Sequence, residues 1–410
     1  MNRVLFISRV SLGHGGGGGM EFGFHALANS LKNAGYEVSI LTTPGLIRQD
    51  LMTVFDRVWC IPKGRPGKYS ISWWLGTFRH ISLREWKPNI IISVSSAGAA
   101  AMLGDSHALH IAQCHGTGLA EVRSSIRTGG LREYAKVVLN SLRILREVPS
   151  YRSFAKVWTV SEEVQRQLLG YPYRVSRDRL EIISNGVDVD YFRYNESSRY
   201  QVRSELNIPA NATVGITLSR LNLQKGVDLA ISSLIESDGE DRFLIVAGDG
   251  PARNDLRRLS ESLNVENRVK FVGHLEKARI PEYLSSADVM VFPTRRVEGL
   301  PLALLEALAN GLPLVTTIGC NVPSDLIPAV TVSDTTGSAV ALAWGAAYRT
   351  SLNRNESKLP ERYSSDYMSM SYDQSIQHAI EHHRASGSGR GAKCRVKSFS
   401  FWLSFLRAFG

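Results

Sequence analysis

The chain has 410 residues, 43% of them hydrophobic and 21% charged, with a formal net charge of +10. That balance excludes a disordered chain, and the length excludes one ordinary core, so two domains of roughly 150–200 residues are expected. Cys60, Cys114, Cys320 and Cys394 lie far apart with no C-x-x-C pair, which argues against a disulfide framework or a zinc site and fits a reducing cytosol.

The opening run Met1–Ile7 is too short for a signal peptide and reads as a strand. No apolar run reaches the roughly 20 residues that a spanning helix needs. Any membrane contact is therefore expected to be peripheral. The basic balance points to polyanionic partners without choosing among them.

In chain order, the strand Val4–Ser8 runs into the glycine tract Gly13–Gly19. A helix follows, with a core stripe at Met20, Phe24, Leu27, Leu31 and Ala34. Gly35 stops it, and Tyr36–Leu41 is the next strand. This β-α-β unit predicts a parallel sheet. Further strands are predicted at Ile90–Val94, Leu109–Gln113, Val157–Val160 and Leu180–Ser184. Tyr191–Pro209 is polar and without periodicity, so the linker is placed there. A second series has strands at Thr213–Leu218, Phe243–Ala247, Val269–Val272, Val289–Phe292 and Leu314–Thr317. Helices fit at Val227–Glu236, Pro251–Leu263, Pro281–Ser286 and Pro301–Ala309. The expected fold is α/β, two tandem Rossmann-like doubly wound domains, residues 1–195 and 205–370, facing across a cleft that is the default ligand site. Residues 384–410 form a basic and aromatic tail, read either as a membrane-interface anchor or as an ordinary chain end.

Three motifs carry chemistry. The glycine tract lets backbone N–H groups approach a phosphate, although five consecutive glycines also satisfy G-x-G-x-x-G trivially. Nicotinamide binding is disfavoured, because Leu41 is followed by Thr42-Thr43-Pro44 rather than an acidic residue. Ser219-Arg220-Leu221-Asn222-Leu223-Gln224-Lys225-Gly226 places two cations on one strand-to-helix loop, suited to a diphosphate. Phe292–Pro301 leads into a helix with Glu298 in the loop before it and Glu306 two turns in. The start of that helix offers free N–H groups to an anion, and a half-buried Glu306 needs partners such as sugar hydroxyls. Asp188-Val189-Asp190 is a D-x-D, but it lies in the interdomain segment and reads as structural.

The spacing Glu298 to Glu306, with Ser219-Arg220-Leu221, Lys225-Gly226 and Gly248-Asp249-Gly250-Pro251, resembles the retaining family 4 (group 1) glycosyltransferases. Asn185-Gly186-Val187-Asp188 with Phe192 is similar to that family's interdomain segment. Gly18-Gly19 followed by Glu21, Leu27-Ala28 and Leu31 is similar to its phosphate loop and first helix. The resemblance runs from about residue 3 to about 316 and implies the GT-B fold. It also implies that Arg220 and Lys225 bind the donor diphosphate, Glu306 the ribose hydroxyls, and Glu298 the donor sugar near the reacting centre. Gly299 and Leu300 would offer backbone N–H groups, and Gly18 and Gly19 would touch phosphate. His115, at a strand end in Cys114-His115-Gly116-Thr117-Gly118, matches the family's sugar-contacting histidine. No metal and no other cofactor is expected, since the cations neutralise the leaving diphosphate.

In this fold the acceptor is bound mainly by the N-terminal domain. There Gly118–Lys156 mixes cations with Val137, Val138, Leu139, Leu142 and Leu145, either an ordinary helix or a basic amphipathic face for anionic lipid. The expected partners are a nucleotide-sugar donor, a glycan or lipid-linked acceptor and an anionic membrane surface, with no nucleic acid. The expected location is cytoplasmic, on the inner face of a membrane if on one at all. After Thr317, Ile318–Asp325 replaces the family's Gly-Gly-x-x-Glu, and Tyr372–His383 is a candidate helix crossing back to the first domain. Two alternatives stay open: a catalytically silent nucleotide-sugar-binding scaffold, and an epimerase of the same fold. A phosphorylase of that fold would need a longer chain.

Overall fold

The computed structural model describes residues 3–15, 19–68, 70–83, 85–105, 107–236, 241–350 and 354–385. The tail beyond Ala385 lies outside the described residues, as does Gly18. The chain divides into two compact units. Residues 1–118, 142–184 and 368–410 form the first, and residues 119–141 and 185–367 the second.

The first unit is built on a seven-stranded sheet. Its strands are β1 (Arg3–Ile7), β2 (Glu37–Thr42), β3 (Arg57–Cys60), β4 (Ile90–Val94), β5 (Leu109–Cys114), β6 (Lys156–Thr159) and β7 (Leu180–Ile182). All pairings are parallel, in the order β3-β2-β1-β4-β5-β6-β7. Its central strands are apolar on both faces, as expected when helices cover both sides of a parallel sheet. Helices α1 (Gly19–Asn33), α2 (Ile71–Leu83), α3 (Ala101–Gly104) and α6 (Glu162–Leu169) belong to it, whereas α4 (Gly118–Thr128) and the first half of α5 (Leu131–Ser153) group with the second unit.

The second unit carries β8 (Thr213–Leu218), β9 (Arg242–Ala247), β10 (Val269–Gly273), β11 (Val289–Phe292), β12 (Leu314–Thr317) and β13 (Val330–Ser333). This six-stranded sheet is also parallel, ordered β10-β9-β8-β11-β12-β13. Its helices are α7 (Glu196–Glu205), α8 (Val227–Ser232), α9 (Arg253–Ser262), α10 (Ile280–Ser286), α11 (Leu302–Ala309) and α12 (Gly337–Arg349). The indole of Trp344 on α12 fills the space above Gly215 on β8, where an added Cβ would meet the ring at 2.4 Å. A last helix, α13 (Ser365–Ala385), returns to the first unit from Met368 onward.

Three features depart from the sequence reading. The segment expected to be a linker holds α7, whose Arg203 is buried and pairs with Asp288 at 2.8 Å while Arg199 takes the other carboxylate oxygen at 2.6 Å. Its polarity therefore reflects an ion-paired helix, not a loop. The units part at Ser184/Asn185 and are discontinuous, whereas the sequence suggested consecutive blocks 1–195 and 205–370. Strands β3 and β13 were not anticipated; both are edge strands, β3 mostly exposed and β13 only partly covered.

Candidate functional site

In the second unit the sheet order reverses between β8 and β11, so the loops after these two strands lie side by side at the carboxyl edge of the sheet. Ligands of open α/β sheets bind at such a point. These are the two loops that carry Arg220 and Lys225 on one side and Glu298 on the other.

The loops are stitched together by polar contacts. After β8, Asn222 caps a short 3₁₀ turn, Leu223–Lys225, by accepting the Lys225 N–H at 3.2 Å. Gly226 then takes φ +69°, and a Cβ there would meet the Pro293 carbonyl oxygen at 1.9 Å. Glycine is required twice over, by conformation and by space. The Arg295 N–H donates to the Gln224 carbonyl at 2.8 Å, and the Arg295 fork holds Asp228 at 2.6 and 2.7 Å.

This frame fixes a buried ion pair. Lys225 Nζ lies 2.7 Å from Glu298 Oε1, both side chains largely covered. The Thr294 hydroxyl reaches the same oxygen at 3.2 Å, and Arg296 Nε stands 3.8 Å from Oε2. Arg296 also pairs with Glu121 of α4, and Ser124 Oγ accepts the Val297 N–H at 2.9 Å. Gln224 donates to Glu133 of α5 at 2.9 Å. The Glu298 N–H donates to Gly319 O at 3.3 Å, which seats the loop beside Cys320. Burial, reinforced by the Glu298 charge, pushes the Cys320 thiol up to about 12.

Beyond Glu298 the chain turns into α11 through Pro301, which sits at the N-cap and not inside the first turn. Among the described residues no acceptor reaches the backbone N–H of Gly299 or Leu300. Asn185 Nδ2 donates to the Leu300 carbonyl at 3.3 Å. Two donors without an acceptor among the described residues thus stand just ahead of the positive end of an eight-residue helix. Glu306 follows on α11, half-buried. Burial pushes its carboxyl up to about 7, with the nearby Lys277 pulling the other way. Burial, helped by the Glu306 charge, raises the phenol of Tyr191. Arg220 is exposed and makes no ion pair with any described residue.

The first unit holds the other predicted residues. His115 follows β5, and burial lowers its imidazole to about 4, so it is neutral near pH 7. Its Nε2 is buried without a partner among the described residues. The loop around it is fixed by the fully buried Glu147, whose Oε2 accepts from the Gly118 N–H at 2.8 Å and the Tyr173 hydroxyl at 2.6 Å. Gly19 is the exposed first residue of α1. Asp188 and Asp190 are used locally, accepting from the Tyr191 N–H and pairing with Arg193. A separate cavity of about 590 Å³ is lined by Lys87, Asn89, Asp105, His107 and His383. It lies at the amino ends of β4 and β5, away from the edge where such sheets bind ligands, and takes in none of the predicted residues.

The sequence reading missed Thr294, Asn185, Lys277 and the α4–α5 contacts. Thr294 stands inside a quoted motif and was legible. Asn185 also stands in a quoted segment, though nothing there points to its contact with Leu300. Lys277 and the α4–α5 residues lie far away in the chain, and no local pattern marks them.

Comparison with known proteins then decides the family. A sequence profile described as Glycosyltransferase Family 4 matches residues 17–191, and one described as Glycosyl transferases group 1 matches residues 198–357. The chain belongs to the group 1, family 4 glycosyltransferases. Among curated relatives of this group 1 chain is the GDP-mannose-dependent alpha-(1-6)-phosphatidylinositol monomannoside mannosyltransferase of Mycobacterium tuberculosis. Identity there is 33% over 144 residues, covering 33% of this chain and 37% of that protein, so the chain spans little more than a third of its length. Among solved structures, sucrose-phosphate synthase from Thermosynechococcus elongatus superposes with a TM-score of 0.76 at 16% identity, covering 93% of this chain and all of that one (100%). Anabaena HepE in complex with UDP-glucose gives a TM-score of 0.72 at 17% identity, covering 92% of this chain and 99% of that one. These neighbours show the fold, GT-B with two Rossmann-like domains.

Proposed function

We propose that this family 4 chain is a retaining glycosyltransferase that moves a sugar from a nucleoside diphosphate donor to a glycan, lipid-linked or other hydroxyl acceptor. The observation that carries the reading is the Lys225–Glu298 pair beside two unengaged backbone N–H groups at the head of α11. A cation, a carboxylate and free donors are what a sugar diphosphate asks of a site: charge for phosphate, acceptors for hydroxyls.

As the sugar–phosphate bond stretches, negative charge grows on the diphosphate. Lys225, Arg220, the Gly299 and Leu300 N–H groups and the start of α11 would stabilise that charge more strongly than the ground state, which is what accelerates the step. Glu298, already carrying Lys225, would accept from a hydroxyl of the donor sugar, and Glu306 from the ribose diol. His115, neutral and with Nε2 unpartnered, would serve a sugar hydroxyl. With Arg220, Lys225 and these N–H groups facing the diphosphate, the reaction is expected to run without a metal ion. No side chain here is assigned as a covalent nucleophile; the acceptor would attack on the face the leaving group departs.

The test is thermal stabilisation by UDP-, GDP-, ADP- and dTDP-sugars with EDTA present, on wild type and on Lys225→Ala. UDP- and GDP-sugars head the panel because the named neighbours bind or depend on them. The expected result is a shift with one nucleotide class, lost in Lys225→Ala, followed by turnover whose product keeps the donor's anomeric configuration by NMR. Stabilisation without turnover on any acceptor would favour a silent sugar-nucleotide binder. No stabilisation with any nucleotide would remove the proposal.

A further inference from the structure

Helix α5 turns its carboxylates inward and its large apolar side chains outward. Leu131, Tyr134, Val138, Leu139, Leu142 and Leu145 are between 54% and 90% exposed. At 100° per residue they fall within an arc of roughly 140°, one continuous stripe. Glu133, Glu147 and Tyr151 face the interior instead, and all three are buried. A soluble helix does the opposite, and an exposed apolar stripe of this length marks an interaction surface.

Charge identifies the partner. Residues 118–153 contain seven cations and three carboxylates. Every carboxylate is engaged: Glu121 with Arg296, Glu133 with Lys136 and Gln224, Glu147 with Arg143, Tyr173 and the Gly118 N–H. Arg127, on α4 just ahead of α5 in the chain, is exposed and makes no ion pair with any described residue, while Lys136 on α5 is exposed but held by Glu133, outside the apolar arc. What reaches solvent is therefore apolar and positive. Pairing two copies through this face would oppose like charges. A surface of acyl chains under anionic headgroups complements both properties, with side chains entering the apolar layer and cations meeting the phosphates.

We infer that the outer face of α5 is a docking surface for an anionic lipid bilayer. Docking there would set a lipid-linked hydroxyl beside a chain whose α4 and α5 residues Glu121, Ser124 and Glu133 already hold the donor-side loops. The inference stands independently of sugar transfer, because vesicle binding is read with neither donor nor acceptor present.

The experiment is flotation of the full chain with phosphatidylcholine vesicles, with and without phosphatidylglycerol. Wild type is compared with Val138→Ser/Leu142→Ser/Leu145→Ser and with Arg127→Ser. The expected result is binding to the anionic vesicles, much weaker on neutral ones and falling with salt. The triple variant should partition about tenfold less or worse, and Arg127→Ser should be weaker mainly at low salt. Thermal unfolding of the triple variant should match wild type, since the replaced side chains are exposed. Failure of wild type to bind overturns the inference. So does undiminished binding by the triple variant, which would transfer the activity to another segment such as the basic C-terminal stretch. A wild-type dimer in sedimentation that the triple variant dissolves would assign the face to a second copy instead.

Discussion

Glu306 sits half-buried with a carboxyl raised to about 7, well above its ordinary range near 4.5. The folded state holds this proton more tightly than the unfolded chain. Between about pH 4.5 and pH 7 the native protein therefore carries more protons, and stability falls as pH rises through that window. Glu306→Gln should be more stable than wild type above pH 7, by something on the order of 1–3 kcal/mol. The difference should vanish below about pH 4.5, which parallel thermal melts across pH would show. A ribose diol donating to this carboxylate would favour its ionised form, so nucleotide binding near pH 7 should release a proton. Calorimetry in two buffers of unlike ionisation enthalpy measures that release, and identical heats would argue against Glu306 as the ribose acceptor. The partial burial of Glu306 was legible in the sequence from its place on an apolar stretch; its closeness to Lys277 and Tyr191 was not, because those residues come from elements far apart in the chain.

At the scale of elements, the central strands could be read from sequence because parallel strands buried on both faces leave uninterrupted apolar runs, as in Ile90–Val94 and Val289–Phe292. Edge strands need no such run: Leu180–Ile182 and Val269–Gly273 were still read as strands, whereas the short, partly uncovered Arg57–Cys60 and Val330–Ser333 went unseen. Helix α7 was missed for a different reason: Arg199 and Arg203 tie it to the carbonyls at the end of α10 and to Asp288 beyond it, and Val202 alone among its residues is a buried apolar one, so no apolar stripe marks it. The loop between β8 and α8 shows the reverse case, where local chemistry was enough. Gly226 at φ +69° lets the chain pass against Pro293, and any side chain would collide with that carbonyl. Gly226→Ala should displace the loop, separate Lys225 from Glu298 and abolish nucleotide-dependent stabilisation. The left-handed backbone alone would cost about 1 kcal/mol, and the collision more. A far-ultraviolet spectrum like wild type with no ligand response is the expected signature; an unaltered ligand response would show that the loop absorbs the extra methyl group.

On the scale of the molecule, each unit has its own parallel sheet and its own core, but only one is built from consecutive sequence on its central strands and last helix. The first unit is closed by α13, where Tyr372 packs edge-on against Trp158 at 4.8 Å and accepts from Gln113 Nε2 at 2.7 Å. Ser375 accepts the Trp158 indole N–H at 2.8 Å and donates to Glu181 at 2.6 Å. Tyr372→Ala should destabilise the first unit by about 3–5 kcal/mol, seen as a drop in the denaturation midpoint, with the nucleotide response of the second unit kept at low temperature. The sequence hinted at this helix, and its aromatic and hydroxyl positions make sense only beside β5 and β6.

That arrangement also bears on how the protein is made. Strands β5 to β7 leave the ribosome long before α13 exists, with roughly 180 residues still to be translated. At ordinary elongation rates the Trp158 face of the first sheet stays bare for roughly ten to forty seconds. During that interval the whole second unit emerges and can fold first. The nascent chain thus carries an uncovered apolar face for close to half of its synthesis, a natural docking place for a chaperone, and translation that stops short of Met368 yields a product whose first unit cannot be sealed.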